Sequence, residues 1–300
     1  MEYRVLGRTG LRVSRLGIGL AEIGSQVTDA EIRQAADVLN TALDAGINFL
    51  DTSACYGNSE ELIGRSVAHR RDEFILATKA GHVVGGYVGE EWTAQTVTDS
   101  IERSLHRMRT DHLDLVQLHS CGVDILERGE VTQVLLDAQQ AGKLRFIGYS
   151  GDNAPAEWAV RSGVFDTLQT SFNLVDQRAR YTLFGEAVAQ GMGIIVKRPI
   201  ANGAWGAAGA PSTYAEAYFE RAQAMLALGA IPDAPERILL ALGFAFAHPE
   251  VDTFIAGTAK LTHLKANIEW VNTQLPIALT AVVALRAAFD QVGQDWEQLT

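Results

Sequence analysis

Three short apolar runs in this chain each end on an ionisable side chain. Residues 48–51 end on Asp51, residues 74–79 on Lys79 and residues 113–119 on His119, and Tyr56 lies in the short stretch just after Asp51. Singly, each has an ordinary structural explanation. An Asp before a Thr caps a turn, a strand-end Lys reaches for water, and a lone His is more often a hydrogen-bonded structural residue than a catalyst. Together they suit one chemistry. Hydride addition to a carbonyl leaves an alkoxide that needs a proton. A Tyr hydroxyl, with a reference pKa of about 10, is a poor donor by itself. An ammonium such as Lys79 favours the tyrosinate and lowers that pKa. A carboxylate such as Asp51 keeps the lysine charged and in place, and a His such as His119 can donate to the substrate oxygen and orient it.

Residues delivered this way need strands that end at a common mouth. Five more apolar runs complete a series of eight: residues 16–20, 144–149, 167–172, 193–197 and 253–256. Most are apolar throughout instead of alternating, so both faces are covered, as in a parallel sheet wrapped by helices. The segments between them carry helical spacing. Thr28 and Glu31 form a capping-box pair ahead of Ile32, Ala36, Leu39 and Leu43, with Gly46 placed to end the helix. Val97, Ile101, Leu105 and Met108 share another face. Strand then helix, repeated without a Pro/Gly/Ser linker, predicts a (β/α)8 TIM barrel spanning residues 1–300 as one domain. An open doubly wound sheet would need a glycine-rich phosphate turn, and Gly17, Gly19 and Gly24 do not supply GxGxxG. Residues 2–12 read as an N-terminal β-hairpin about Arg8-Thr9-Gly10 that plugs the barrel's N-terminal end. Residues 199–231, with Gly203, Gly206, Gly209 and Pro211, read as a long loop over the C-terminal mouth.

Composition narrows the partners. A net charge of −11 disfavours nucleic acid and anionic membranes. Cys55 and Cys121 form no metal-ligand spacing, and only Asp51 and His119 fall at strand ends where a metal-dependent barrel would need several ligands, so no metal is expected. The N-terminus lacks the apolar core of a signal peptide and no run is long enough to span a bilayer, which points to a cytoplasmic protein acting on a small molecule.

The stretch from Asp51 through Thr-Ser-Ala-Cys-Tyr56-Gly57-Asn-Ser59-Glu60 to Gly64 resembles the signature of the aldo-keto reductase family. Ala77-Thr78-Lys79 and Leu115-Val-Gln-Leu-His119 resemble that family's next two motifs, in order, and the opening Leu6-Gly-Arg-Thr-Gly-Leu-Arg-Val-Ser14 resembles its start. The resemblance covers nearly the whole chain. It implies that Asp51, Tyr56, Lys79 and His119 form a catalytic tetrad serving an aldehyde, ketone or sugar. It also implies NADP(H) as the preferred cofactor, with NAD(H) second. Gly19 and Leu20 would border the cofactor at the end of the first barrel strand. Ser150 and Gln169 would hold the nicotinamide carboxamide, although Gly151 stands where relatives carry Asn. Lys197 and Arg198 would lie beside the ring, Arg198 stacking in place of an aromatic, and Gly203 would reach the pyrophosphate. Gly257, Thr258, Lys260 and Asn267 would form the adenosine side, with Thr258 and Lys260 on a 2′-phosphate. Glu22 and Trp205 are the substrate-pocket residues suggested by position.

A second class of function stays open at this point: an NADP-binding redox-sensing or regulatory subunit on the same fold with little turnover, like the family's potassium-channel auxiliary subunits. The natural substrate, the direction of reaction in the cell and the oligomeric state are not encoded in any of these motifs.

Overall fold

The computed structural model describes residues 1–24 and 26–300. Its ten strands are β1 (Tyr3–Val5), β2 (Arg12–Ser14), β3 (Leu16–Gly19), β4 (Phe49–Asp51), β5 (Ile75–Ala80), β6 (Leu113–His119), β7 (Leu144–Ser150), β8 (Thr167–Ser171), β9 (Gly193–Lys197) and β10 (Thr253–Gly257). Strands β3 to β10 are all parallel and close on themselves, β10 pairing β3 with Phe254 opposite Leu16. The eight runs read from the sequence match these eight strands to within two residues at each end. Around the barrel lie α1 (Asp29–Asp44), α2 (Ser59–Ser66), α3 (Ala94–Met108), α4 (Val123–Arg128), α5 (Glu130–Gln140), α6 (Asn153–Ser162), α7 (Leu183–Ala189), α8 (Glu216–Leu226), α9 (Arg237–Phe246), α10 (Leu261–Thr273) and α11 (Leu279–Val292).

Local chemistry explains the boundaries. Thr28 caps α1 by accepting from the Glu31 amide at 3.2 Å, and Gly46 beyond its C-terminus has φ +85°. Ala35, Val38, Leu39, Ala42 and Leu43 give that helix its buried face. Apolar groups fill two regions: a large cluster between helices and sheet, and a smaller one inside the barrel built from Phe49, Ile75, Ala77, Leu115, Ile195 and Ile255.

The smaller cluster also contains Leu6, Leu11 and Val13. These belong to the hairpin of β1 and β2, antiparallel about a turn in which Gly10 has φ +71°. The hairpin therefore closes the N-terminal end of the barrel, as the sequence predicts. Contact there is tight: a Cβ on Gly193 would lie 2.6 Å from the Leu6 side chain. The Gly7 amide donates to Asp252 and the Arg8 amide to the Gly191 carbonyl.

The segment 199–231 differs from a plain loop. Its second half folds as α8, because Tyr218, Ala222 and Met225 recur at helical spacing and bury one face. The first half keeps the loop character. No helix among the described residues is long and apolar enough to cross a membrane.

Candidate active site

The barrel brings Asp51, Lys79 and His119 to the C-terminal ends of β4, β5 and β6, three neighbouring strands. Register sets their heights: Asp51 pairs Ala77, Lys79 pairs Gln117, and His119 pairs Ser150. The Lys79 ammonium is 1% exposed and donates to Asp51 Oδ2 at 2.5 Å and to the Thr52 carbonyl at 2.8 Å. Burial works to lower the lysine's pKa, but Asp51 and Tyr56 outweigh it and the net shift is upward, so the ammonium stays charged. Tyr56, in the turn after β4, places its ring centre 4.8 Å from Lys79 Nζ.

Burial holds the Tyr56 hydroxyl above its usual pKa. Lys79 pulls it down, as the residue types predict, yet desolvation, helped by Asp51, prevails. The group is thus protonated at neutral pH, the form a proton donor needs. His119 lies 5.8 Å from Tyr56, edge to face. Burial first, then the charges of Lys79, His82, Lys197 and Arg198, push its pKa down to about 2. It is a neutral imidazole. Its Nδ1 sits 3.2 Å from Ser53 Oγ and 3.4 Å from Cys55 Sγ. In the tautomer where Nδ1 accepts from those partners, Nε2 carries the proton and faces a substrate oxygen as a donor.

Ser150 and Gln169, expected to hold a carboxamide, turn to the tetrad instead. Gln169 donates to Asp51 Oδ1 at 2.7 Å and accepts from Ser150 Oγ at 2.9 Å. Gln117, which motif matching passed over, donates to the same carboxylate oxygen at 3.3 Å. It was visible as a polar residue two positions before His119 in a mostly apolar run.

On the other side of the mouth, Lys197 at the end of β9 pairs with buried Asp152 at 2.8 Å. Arg198 has φ +60° and donates to the Leu299 carbonyl at 2.5 Å and to the Tyr214 hydroxyl, its guanidinium lying over the Tyr214 ring. The C-terminal segment thereby joins this end of the barrel. Leu299 N–H donates to Asp176, and Gln298 donates to Thr170 and Ser171. Asn153 and Gln298 bond each other reciprocally through amide and backbone. Burial raises the Asp176 pKa to about 7.

Four residues after β9 share a left-handed backbone: Arg198, Ala201, Asn202 and Gly203. Side-chain-bearing residues rarely adopt it, and such strain gathers at ligand sites. Asn202 Nδ2 is buried there without a partner. Gly19 ends β3 beside Gly257 of β10, where a Cβ on Gly257 would meet the Gly19 carbonyl at 3.4 Å; the ledge is free of side chains. Leu20 is fully buried behind it, its amide bonded to the Asp51 carbonyl. The Glu22 carboxylate reaches to about 4 Å from that ledge. Lys260 caps α10, exposed, with no ion pair among the described residues, while Thr258 is 4% exposed and bonds the Lys260 backbone. Asn267 is buried further along the same helix. Trp205 does not fit an open pocket wall: it is 5% exposed and packs in the main core. Among the described residues no group of three or more His, Cys, Asp or Glu is arranged to hold a metal ion.

Comparison with known proteins places the chain as a whole. The chain is 27% identical over 287 residues to L-galactose dehydrogenase of Arabidopsis thaliana, covering 89% of this chain and 87% of that one. It is 29% identical over 222 residues to L-glyceraldehyde 3-phosphate reductase of Escherichia coli, covering 68% and 62%. The holo form of an aldo-keto reductase from Bacillus halodurans superposes with a TM-score of 0.81 over 96% of both chains at 24% identity, which speaks for the fold. Residues 15–283 match the model of the aldo/keto reductase family, and the chain belongs to that family of oxidoreductases.

Proposed function

We propose that the protein reversibly reduces the carbonyl of an aldehyde, ketone or sugar in the cytoplasm, using NADP(H) in preference to NAD(H), with the whole chain working as one unit. The observation that carries this is the buried Asp51–Lys79 pair set against the Tyr56 ring, with a neutral His119 beside it. In relatives the substrate named is L-galactose or L-glyceraldehyde 3-phosphate, both hydroxylated carbonyl compounds or their hemiacetals.

Residues at the mouth fit a long anionic ligand. The Gly19–Gly257 ledge admits close backbone approach. The left-handed turn through Gly203, with its orphan Asn202 amide, offers donors for a diphosphate. Lys260 at the start of α10 is the free cation for a 2′-phosphate, and Asn267 would meet the adenine. When bound, a reduced nicotinamide supplies the hydride. The chain's own groups do the rest. His119 Nε2–H and the Tyr56 hydroxyl polarise and orient the carbonyl oxygen. Tyr56 then gives its proton to the developing alkoxide, and the Lys79 ammonium stabilises the tyrosinate left behind. Asp51, held by Lys79, Gln117 and Gln169, keeps that charge fixed.

Gln169 keeps a second amide hydrogen and Ser150 Oγ its lone pairs for a carboxamide, while stacking by Arg198 requires it to leave Leu299 and Tyr214. Initial rates with a panel of aldehydes, ketones and sugars, followed by nicotinamide absorbance with NADPH and with NADH, test the proposal. Turnover with NADPH favoured supports it. Cofactor binding without turnover across the panel would point to a sensor.

A further inference from the structure

The loop after β5 builds a feature that the tetrad does not use. Gly81 has φ +126°, and the Trp92 ring lies directly on it: a Cβ there would come within 1.8 Å of the indole. Trp92 itself has φ +61°, uncommon for so bulky a residue, and its amide donates to the Gly81 carbonyl at 3.1 Å. The two ends of the loop are thereby pinned together. Between them, His82 stands edge to face against Trp92 at 4.9 Å and against His119 at 5.1 Å. Its Nδ1 lies 3.1 Å from Glu91 Oε1, and that same oxygen accepts from the Val83 amide at 3.3 Å.

We infer that His82, oriented by Glu91, is a specificity residue that accepts a hydrogen bond from a hydroxyl on the carbon next to the reacting carbonyl, so that the site selects α-hydroxy carbonyl substrates. In the tautomer that directs Nδ1–H at the Glu91 carboxylate, the free ring edge of His82 is Nε2, an acceptor. The neighbouring His119 has the opposite character, with Nε2 the donor. One imidazole suits a carbonyl oxygen and the other suits a hydroxyl proton. Rings this close reach two oxygens on adjacent carbons with bonds of ordinary length. A site that bonds a substrate hydroxyl discriminates against the analogue lacking it, because its own polar group is then left without a partner. The left-handed backbone at Trp92 and the close seat of its ring on Gly81 hold the geometry before any substrate arrives.

The inference rests on the proposed carbonyl reduction, and the experiment separates the two. Lactaldehyde and propionaldehyde differ by the 2-hydroxyl alone. The wild-type protein should show the higher kcat/KM with lactaldehyde. His82→Phe should lower that value about tenfold while leaving propionaldehyde nearly unchanged. Glu91→Gln, on an exposed side chain, should give a smaller loss confined to lactaldehyde, with thermal unfolding unaltered. Equal losses on both aldehydes, no loss on lactaldehyde, or no preference in the wild type would overturn the role of His82 while leaving the reductase standing. Failure of the wild type to turn over either aldehyde would overturn this inference, and failure across the whole carbonyl panel, with cofactor binding intact by fluorescence, would overturn the reductase as well.

Discussion

The two halves of the barrel mouth are built on opposite plans. At the ends of β4, β5 and β6 the buried charges satisfy one another, and the groups left over, the Tyr56 hydroxyl and His119 Nε2, are those that proton transfer requires. At the ends of β7, β8 and β9 nearly every polar side chain is already committed. Ser150 bonds Gln169, Gln169 bonds Asp51, Lys197 pairs with Asp152, and Arg198 holds Leu299 and Tyr214. The first half is preorganised, and a preorganised field acts in the transition state without rearrangement. The second half meets a ligand with side chains already held by internal bonds, of which those of Lys197 and Arg198 are open to trade. On the function proposed above, catalytic power and ligand exchange fall to different strands of one barrel.

Substitutions can break this contrast. The largest effect should come from Tyr56→Phe, which keeps the ring and removes the proton: a loss of about a hundred- to ten-thousandfold in turnover with cofactor affinity retained. Near-normal turnover in a chemically limited assay would place the acid elsewhere. Lys79→Met should be nearly as severe and should also move the pH profile. Reduction needs protonated Tyr56, so kcat/KM falls as pH rises through that group's pKa. Without Lys79 the tyrosinate loses its main stabiliser, and the alkaline limb should shift to higher pH. An unmoved limb would dissolve the pairing. His119, with its pKa near 2, should add no limb of its own close to pH 6.5.

Effects on the exchange side should be smaller and fall on binding. Lys260→Ala should weaken NADPH by about tenfold or more, as a charge-assisted bond to phosphate contributes roughly 1.5–3 kcal/mol, and should leave NADH almost unchanged. Equal weakening of both would mean that Lys260 does not contact the phosphate. The mildest signal is hydrogen exchange. Amides of residues 201–210 should gain protection on adding NADP⁺, because the left-handed turn there orders over the ligand and limits its release. No change at saturation would mean that the turn is as closed before binding as after.

Asp51, Lys79 and His119 were legible because a charged or titratable residue ending an apolar run has one meaning in a parallel barrel: it faces the mouth. Strand limits were legible for the same reason, since few polar residues interrupt the runs. What could not be read was partnership across long separations. Lys197 looked like a free cation because nothing in the spacing points to Asp152. Nor does anything in the spacing match Asn153 with Gln298, a residue 145 positions away. Trp205 sat in a glycine- and alanine-rich stretch that suggests exposure, yet the small neighbours are what let the indole sink into the core. In the same segment a helix over residues 214–228 is the alternative to a plain loop, and α8 is that helix, with Tyr218, Ala222 and Met225 as its buried face.

The hairpin at the barrel's base also has a consequence in time. Gly7 finds its partner in Asp252, and Arg4 finds its own at Pro249, each about 245 positions along the chain. At synthesis rates of roughly 5–20 residues per second, the opening strands wait on the order of 10–50 s before the last barrel strand exists to receive them. Until then Leu6, Leu11 and Val13 have no interior to enter. Closure waits on β10, and until that strand is made the nascent chain carries its own stopper, exposed.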